Sequence, residues 1–549
     1  MMTRTALAAL VLAFSCRGGP TPTDARPAPD LAALHPLPSP SASPESGLPT
    51  LQPVLDDPRL SEARLRLRQK EPAAAAQVIA TTRPQARLSP QQDCAWTYLE
   101  ARLHAQTGDF PGALPSFEKV ARDKCPLSAY ATLRAAQTAL SMRRTADALA
   151  HARSIPEPLA RRDESRLVLA EALAAQGDYA AAVPLWRSVL AQSPTGRRWP
   201  ETAAHLASAV LKDAPEEAFN LATRIAVDAP AQADALHANS LRTRALERLP
   251  ARQLALDPAQ RVRQAQAWLE SSNAPKAARL SGQLLAKALA PDLACKAAIT
   301  RAQASPALRP RDRPADPWGD AITRCEGESL ANALYQGARA SSQARNPDEA
   351  VARYAKLEAL FPQHRLADDA RLQSALLARQ AGDMGRFYAL ASTVPDLYPN
   401  GDQRPEALFR VALSYLVTGD LDHAEKTLDR AISVEPTAKY WANPGRAAYF
   451  RARLAELRGN TADAKPRYAA VIADFPLTYF MLLAYARLSE ADPAAAKGAL
   501  DQAVAREPAT PFLSRPHPEL ATASFECALR LLEVGEVETP RRKETDQDK

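Results

Sequence analysis

The sequence predicts an all-α fold, a solenoid of stacked helix hairpins, and three observations carry that prediction. Alanine and leucine fill a chain that is 46% hydrophobic but only 6% aromatic, a balance that favours closely packed helices over sheets. Glycine is rare, 19 among 549 residues, while proline is common at 47, so interrupted helices fit and glycine-rich phosphate loops do not. Small residues and prolines also recur at fixed spacing. Ala182, Ala350, Ala424, Ala464 and Ala496 each precede a proline by twelve residues, and Gly177, Gly382, Gly419 and Gly459 each precede one by seventeen.

The segments follow in chain order. Residues 1–16 join a basic start at Arg4 to an apolar run from Ala6 to Phe14 and a small residue, Ser15, before Cys16. This is the layout of a secretory signal, too short to span a bilayer stably. Cys16 resembles the lipobox cysteine of bacterial lipoproteins, with Leu12-Ala13-Phe14-Ser15 before it, although the family prefers Leu where this chain has Ala13. The resemblance implies acylation of Cys16 and a lipid anchor on the periplasmic side of the cell envelope. Arg17 after the cysteine is compatible with the outer membrane. The other reading is an ordinary signal cut nearby, with Cys16 incidental. Residues 17–57 hold ten prolines among Ala, Ser, Thr and Leu, a tether that cannot bury enough apolar surface to fold.

Residues 58–304 and 319–538 carry the helical periodicity and form the two halves of the array. Gly followed by Asp or Asn turns one helix into the next, a small Ala lets the two approach, and proline ends the second. The run Gln176-Gly177-Asp178-Tyr179-Ala180-Ala181-Ala182 through Leu185-Trp186 to Pro194 resembles the tetratricopeptide repeat, and steps of 37, 37, 40 and 32 residues from Pro362 to Pro508 bracket that family's repeat length. The likeness is strongest from Leu330 to Pro508 and weakest between Pro194 and Leu330. It implies a right-handed superhelix whose hairpins bury their apolar faces only by stacking, with a concave surface for protein partners. The proline-rich stretch 305–318 reads as a solvated loop or joint, and 539–549 as a charged tail.

The formal charge of +7 is spread along the chain and does not call for nucleic acid. The eight histidines stand apart, and no CxxC, HExxH, GxSxG, P-loop or GxGxxG occurs, so neither a local metal site nor a cofactor is expected. Carboxylate pairs abound on the helices, none in a context that predicts a raised pKa. Trp96, Tyr98, Tyr179 and Trp186 fall at helical spacing and are expected between helices. Cys94 and Cys125 lie 31 residues apart, Cys295 and Cys325 lie 30 apart, each pair about one repeat. Two disulfides and four buried thiols are both compatible with that spacing, while Cys527 reads as a small buried hydrophobe.

Toward the C-terminus, Phe475-Pro476-Leu477-Thr478-Tyr479-Phe480-Met481-Leu482-Leu483-Ala484-Tyr485-Ala486-Arg487-Leu488 resembles the helix that closes the superhelical part of soluble lytic transglycosylases. The stretch Phe525 to Glu538 is similar to that family's linker helices. The resemblance implies a place in peptidoglycan turnover. The family's catalytic domain needs a Glu-Ser pair followed by Gly-Leu-Met-Gln, and nothing here matches it. Glu45-Ser46, Glu164-Ser165, Glu270-Ser271 and Glu328-Ser329 lack that sequel, and eleven residues after Glu538 cannot hold a sugar cleft. The expectation is therefore a non-catalytic envelope scaffold without the catalytic domain; the alternative is a lytic transglycosylase truncated before it.

Overall fold

A computed structural model describes residues 51–157, 159–249, 253–434, 443–506 and 522–536. Cys16, the signal, most of the tether and the charged tail lie outside them. The described residues contain helices and turns and no strand. The chain divides into two compact units, Arg59–Pro508 and a smaller one made of Met1–Pro58 with Ala509–Lys549.

The larger unit opens with α1 (Ser61–Arg68), α2 (Pro72–Thr82), α3 (Pro90–Gln106), α4 (Phe110–Arg122), α5 (Ser128–Ser141), α6 (Thr145–Arg153), α7 (Asp163–Ala175) and α8 (Tyr179–Gln192). It continues through α9 (Trp199–Val210), α10 (Pro215–Asp228), α11 (Ala238–Leu246), α12 (Pro258–Glu270), α13 (Ala274–Leu285), α14 (Pro291–Ala304) and α15 (Gly319–Arg324). Then come α16 (Gly327–Gln343), α17 (Pro347–Leu360), α18 (Ala367–Gln380), α19 (Met384–Ala391), α20 (Val394–Leu397), α21 (Arg404–Thr418) and α22 (Leu421–Val434). The unit ends with α23 (Arg446–Leu457), α24 (Thr461–Asp474), α25 (Tyr479–Ala491) and α26 (Pro493–Ala505). Each helix packs mainly on its neighbours in sequence, the contact pattern of a solenoid. The interval from Pro194 to Leu330, where the repeat signal fades, carries helices α9–α15, and its proline-rich stretch 305–318 holds two short 3-10 turns, Ser305–Ala307 and Pro310–Asp312.

One backbone device makes most of the hairpins. The residue before the cap is left-handed, and the cap N–H reaches back five residues: Asp178 to Leu173 at 3.0 Å, Asp383 to Ala378 at 2.9 Å, Asn460 to Ala455 at 3.0 Å. The same Asp or Asn then accepts a hydrogen bond from the backbone N–H three residues on, as Asp178 does from Ala181 at 3.0 Å and Asp383 from Arg386 at 2.9 Å. Gly382 holds the left-handed place at φ +85°, where an added methyl would meet nothing, so backbone conformation alone demands the glycine. Arg345 takes the same place at φ 62°, followed by Asn346, a strained choice for a residue with a side chain. Arg345→Gly is therefore expected to stabilise the α16–α17 hairpin by about 1 kcal/mol, measured by urea unfolding or hydrogen exchange.

In the α21–α22 hairpin the first helix is sandwiched and the second is not. Along α21, Glu406, Ala407, Leu408, Phe409, Val411, Ala412, Ser414 and Leu416 are all buried, whereas α22 buries only Ala424, Leu428 and Ala431. The alanines of the sequence repeat, Ala182, Ala350, Ala424, Ala464 and Ala496, are all buried on the second helices, so enlarging any of them costs about 1–3 kcal/mol by overpacking. Hairpins are also joined by surface ion pairs such as Arg187 with Glu217 at 2.6 Å and Lys465 with Asp492 at 3.1 Å. Exposed pairs contribute at most about 1 kcal/mol each, so the stack is held by apolar contact.

In the smaller unit, the last residues assigned to the tether form a short turn, Val54–Asp56, and the chain ends its described part in α27 (Ala523–Glu533). Gln52 N–H donates to Glu533 Oε1 at 3.1 Å, and Val54, Leu531 and Val534 are buried. Cys527 on α27 is half-buried rather than the buried hydrophobe expected.

Candidate functional site

The repeat register places four polar residues in a row along successive first helices. Asn332 on α16, Asp369 on α18, Glu406 on α21 and Arg446 on α23 each lie thirteen residues before the left-handed turn residue of their own hairpin. A second row four residues on runs through Gln336, Gln373 and Arg410 to Phe450. Because equivalent positions on stacked helices share a face, the rows together make one polar seam across four hairpins.

The seam is acidic at α18. Asp368 is buried, its Oδ2 accepting the Gln403 N–H at 3.1 Å, which fastens the loop that enters α21. Gly401 has no room for a side chain there, since a Cβ would stand 2.4 Å from that same oxygen. Asp369 is half-buried beside it. Burial first, then the charges of Asp368 and Asp402, push its carboxyl up to about 6, while Tyr335 and Arg365 partly offset the rise. Burial raises Asp368 as well, and with the charge of Asp369 raises Tyr335 to about 12. This corrects the expectation that no carboxylate would be raised: spacing along one helix shows Asp368 and Asp369 as surface acids, while the loop that buries them arrives from 33 residues downstream. The oxygens of Asp368, Asp369 and Asp402 lie within 4.8 Å of one another, an all-oxygen set of the kind hard cations take. A proton on Asp369 relieves the same repulsion.

Asp369 titrates near 3.8 when unfolded and near 6 when folded, so its ionisation costs nothing below the first value and its full penalty above the second. Asp369→Asn is expected to stabilise the α18 region by about 1–2 kcal/mol at pH 7.5 after allowance for solvent screening, and to leave stability unchanged at pH 3.5. Hydrogen exchange at the two pH values reads both arms.

The seam turns basic at α21 and α23. Glu406 is buried between two guanidinium groups, Arg410 at 2.6 Å and Arg446. Burial alone would raise its carboxyl, but Arg446 and Arg410 outweigh it and hold the group below the usual range. Arg446 also lies 3.9 Å from the centroid of the Phe409 ring. Arg379 on α18 is lowered by burial and by the Arg410 charge, so a third cation lies within reach of Arg410. Arg379 and Arg410 together would suit a carboxylate, and the Asp368–Asp369–Asp402 corner a cation or a hydrogen-bond donor.

The residues singled out from sequence fall elsewhere. Trp96, Tyr98 and Trp186 are buried between helices, but Tyr179 is 52% exposed at the start of α8. Cys94 of α3 is bonded to Cys125, in the turn between α4 and α5, with Cα atoms 6.7 Å apart. Cys295 of α14 is bonded to Cys325 directly after α15, with Cα atoms 4.8 Å apart, among Ala298, Trp318 and Ala321. Glu164-Ser165 and Glu328-Ser329 lie on α7 and α16, Glu164 bonded to Arg134 and Glu328 to His364, and Glu270-Ser271 ends α12, with Glu270 paired to Arg263.

No protein-family model matches the chain, and no curated protein does. Among solved structures it is similar to the human IFIT1 dimer with m7Gppp-AAAA, at 14% identity over 77% of this chain and 91% of that one, with a TM-score of 0.29. It is also similar to the APC/C hetero-tetramer Cut9-Hcn1, at 13% identity over 82% and 97% of the two chains (TM-score 0.24). The P58(IPK) TPR domain matches at 14% identity over 69% and 99% (TM-score 0.20). Its own sequentially packed helices and capped turns make the chain an all-α solenoid of tetratricopeptide-like hairpins.

Proposed function

We propose that the chain is a non-catalytic scaffold of the bacterial cell envelope, held to the periplasmic face of a membrane, preferentially the outer one, by lipid on Cys16. Its work is to bind a protein partner of the cell-wall machinery through the polar seam. The observation that carries the binding role is the seam itself: polar and charged side chains held in register on α16, α18, α21 and α23, acidic at α18 and basic at α21 and α23. Side chains already locked by packing lose little freedom when a partner docks, which favours recognition. A fitting partner segment carries a cation toward Asp369 and Asp402 and a carboxylate toward Arg379 and Arg410. Two cysteine pairs at disulfide distance support an oxidising compartment.

A photocrosslinking residue at Gln373, between the two ends of the seam, tests the binding role in cells. A discrete protein adduct that disappears with Arg410→Glu is expected; no adduct, or one indifferent to the substitution, would count against the seam. Palmitate labelling tests the anchor: label lost in Cys16→Ser is expected, and an unlabelled native chain would contradict it.

A further inference from the structure

The proline-rich stretch between α14 and α15 reads from sequence as a solvated loop or joint, and its anchoring makes it a built loop rather than a joint. The Cys295–Cys325 bond closes its base, Trp318 is buried in the same cluster as the two cysteines, and α14 packs on α15. Further contacts hold the loop itself. Asp316 accepts hydrogen bonds from the buried Arg353 of α17 at 2.6 Å and from the Trp318 N–H at 3.1 Å. The Arg313 guanidinium donates to the carbonyls of Leu308 and Pro306, both at 2.8 Å. Arg309 and Arg313, each followed by proline, sit at ψ 145° and 134°, the extended conformation that proline imposes on the residue before it. Where the α16–α17 and α18–α19 turns take three residues, this connection takes fourteen. Ordering so long a loop on a surface costs conformational entropy that a short turn avoids, and loops of this length in packed arrays mostly serve a function.

What the loop displays is positive charge. Residues 309–313 are all exposed, and Arg309 and Arg311 share the carboxylate of Asp312 at 2.9 and 3.9 Å. At the base, Arg301 and Arg324 share Asp320 in the same way, at 3.0 and 3.7 Å. Between residues 301 and 324 five arginines stand against three aspartates, and one of the three, Asp316, is turned onto Arg353. From this we infer that the loop is a second docking site of the scaffold, its occupant an acidic segment of a partner protein. A guanidinium that shares one carboxylate with a neighbour keeps N–H donors for another, and its planar fork takes a further carboxylate in bidentate fashion. The backbone that carries these groups is already fixed, so docking freezes little of it. The site shares no residue with the polar seam and stands or falls independently of it.

Fluorescence anisotropy of a labelled octaglutamate peptide titrated with the full chain tests the assignment. Binding at low salt that weakens as salt is raised is expected, and Arg309→Glu combined with Arg311→Glu is expected to weaken it at least about tenfold with unchanged helical circular dichroism. Arg161→Glu combined with Arg162→Glu reverses two exposed arginines between α6 and α7 and is expected to change binding less than about twofold. Arg313→Lys keeps the charge but cannot hold both carbonyls, and a loss of about threefold is expected from the loosened loop. A native chain that does not bind the peptide, or a loss as large from the Arg161 and Arg162 pair as from the Arg309 and Arg311 pair, would overturn the inference. A single-stranded oligonucleotide of equal charge that binds the loop more tightly than the peptide would overturn it too, and assign the arginines to nucleic acid.

Discussion

Replacing Glu406 with alanine is expected to lower the local stability of the α21–α23 junction by about 3 kcal/mol. The carboxylate is buried and joined to Arg410 at 2.6 Å and to Arg446, whose guanidinium is itself packed on Phe409. Its removal leaves two guanidinium groups partly desolvated with their main counter-charge gone, beside a third at Arg379, and an uncompensated buried charge costs more than the pair ever gained. The acid dependence has a definite sign. Glu406 has a folded pKa below its ordinary value of 4.5, so its stabilisation is present above that value and fades as pH falls through the lower folded value. Glu406→Gln should therefore be destabilising at pH 7 and less so at pH 3. Asp369 at the equivalent register behaves oppositely, because burial raises it and, among the described residues, no arginine is salt-bridged to it. Hydrogen exchange of α21 and α23 amides at the two pH values separates the cases.

Loss of the Cys94–Cys125 bond is expected to be at least as costly. Joining residues 31 apart removes about 3–4 kcal/mol of loop-closure entropy from the unfolded chain in the entropic account, and the bond ties α3 to the turn that enters α5. The second bond closes a segment of nearly the same length around the proline-rich stretch, so a similar figure applies there. Cys94→Ala with Cys125→Ala should lower the urea midpoint at unchanged slope. Thiol counting on the native denatured chain should find neither pair reactive until reductant is added. Four reactive thiols without reductant would mean that the cysteines are reduced in the native protein, and would weaken the argument for an oxidising compartment.

The hairpins were legible because their turns are local. Gly and Asp at positions such as Gly382-Asp383 announce a left-handed residue and a cap within two letters, and the alanine on the second helix repeats because close approach demands it. The signal faded between Pro194 and Leu330 because the same backbone turn is there taken by Ser272, which no composition rule marks as left-handed. The charged seam was not legible for a different reason. Asp369 gains its unusual environment from a loop 33 residues away, and Glu406 from Arg446, forty residues on. Tyr179 shows the converse, since helical spacing alone does not distinguish a residue facing a neighbour from one facing water. Only the lateral stacking of repeats decides these cases.

The claim that this chain works by holding a partner rather than by cleaving a substrate is tested most directly on isolated peptidoglycan sacculi. Purified protein incubated with sacculi should release no 1,6-anhydromuropeptides above a buffer control when the soluble fraction is read by mass spectrometry. Clear release would place a transglycosylase site somewhere on the helical array and contradict the scaffold account.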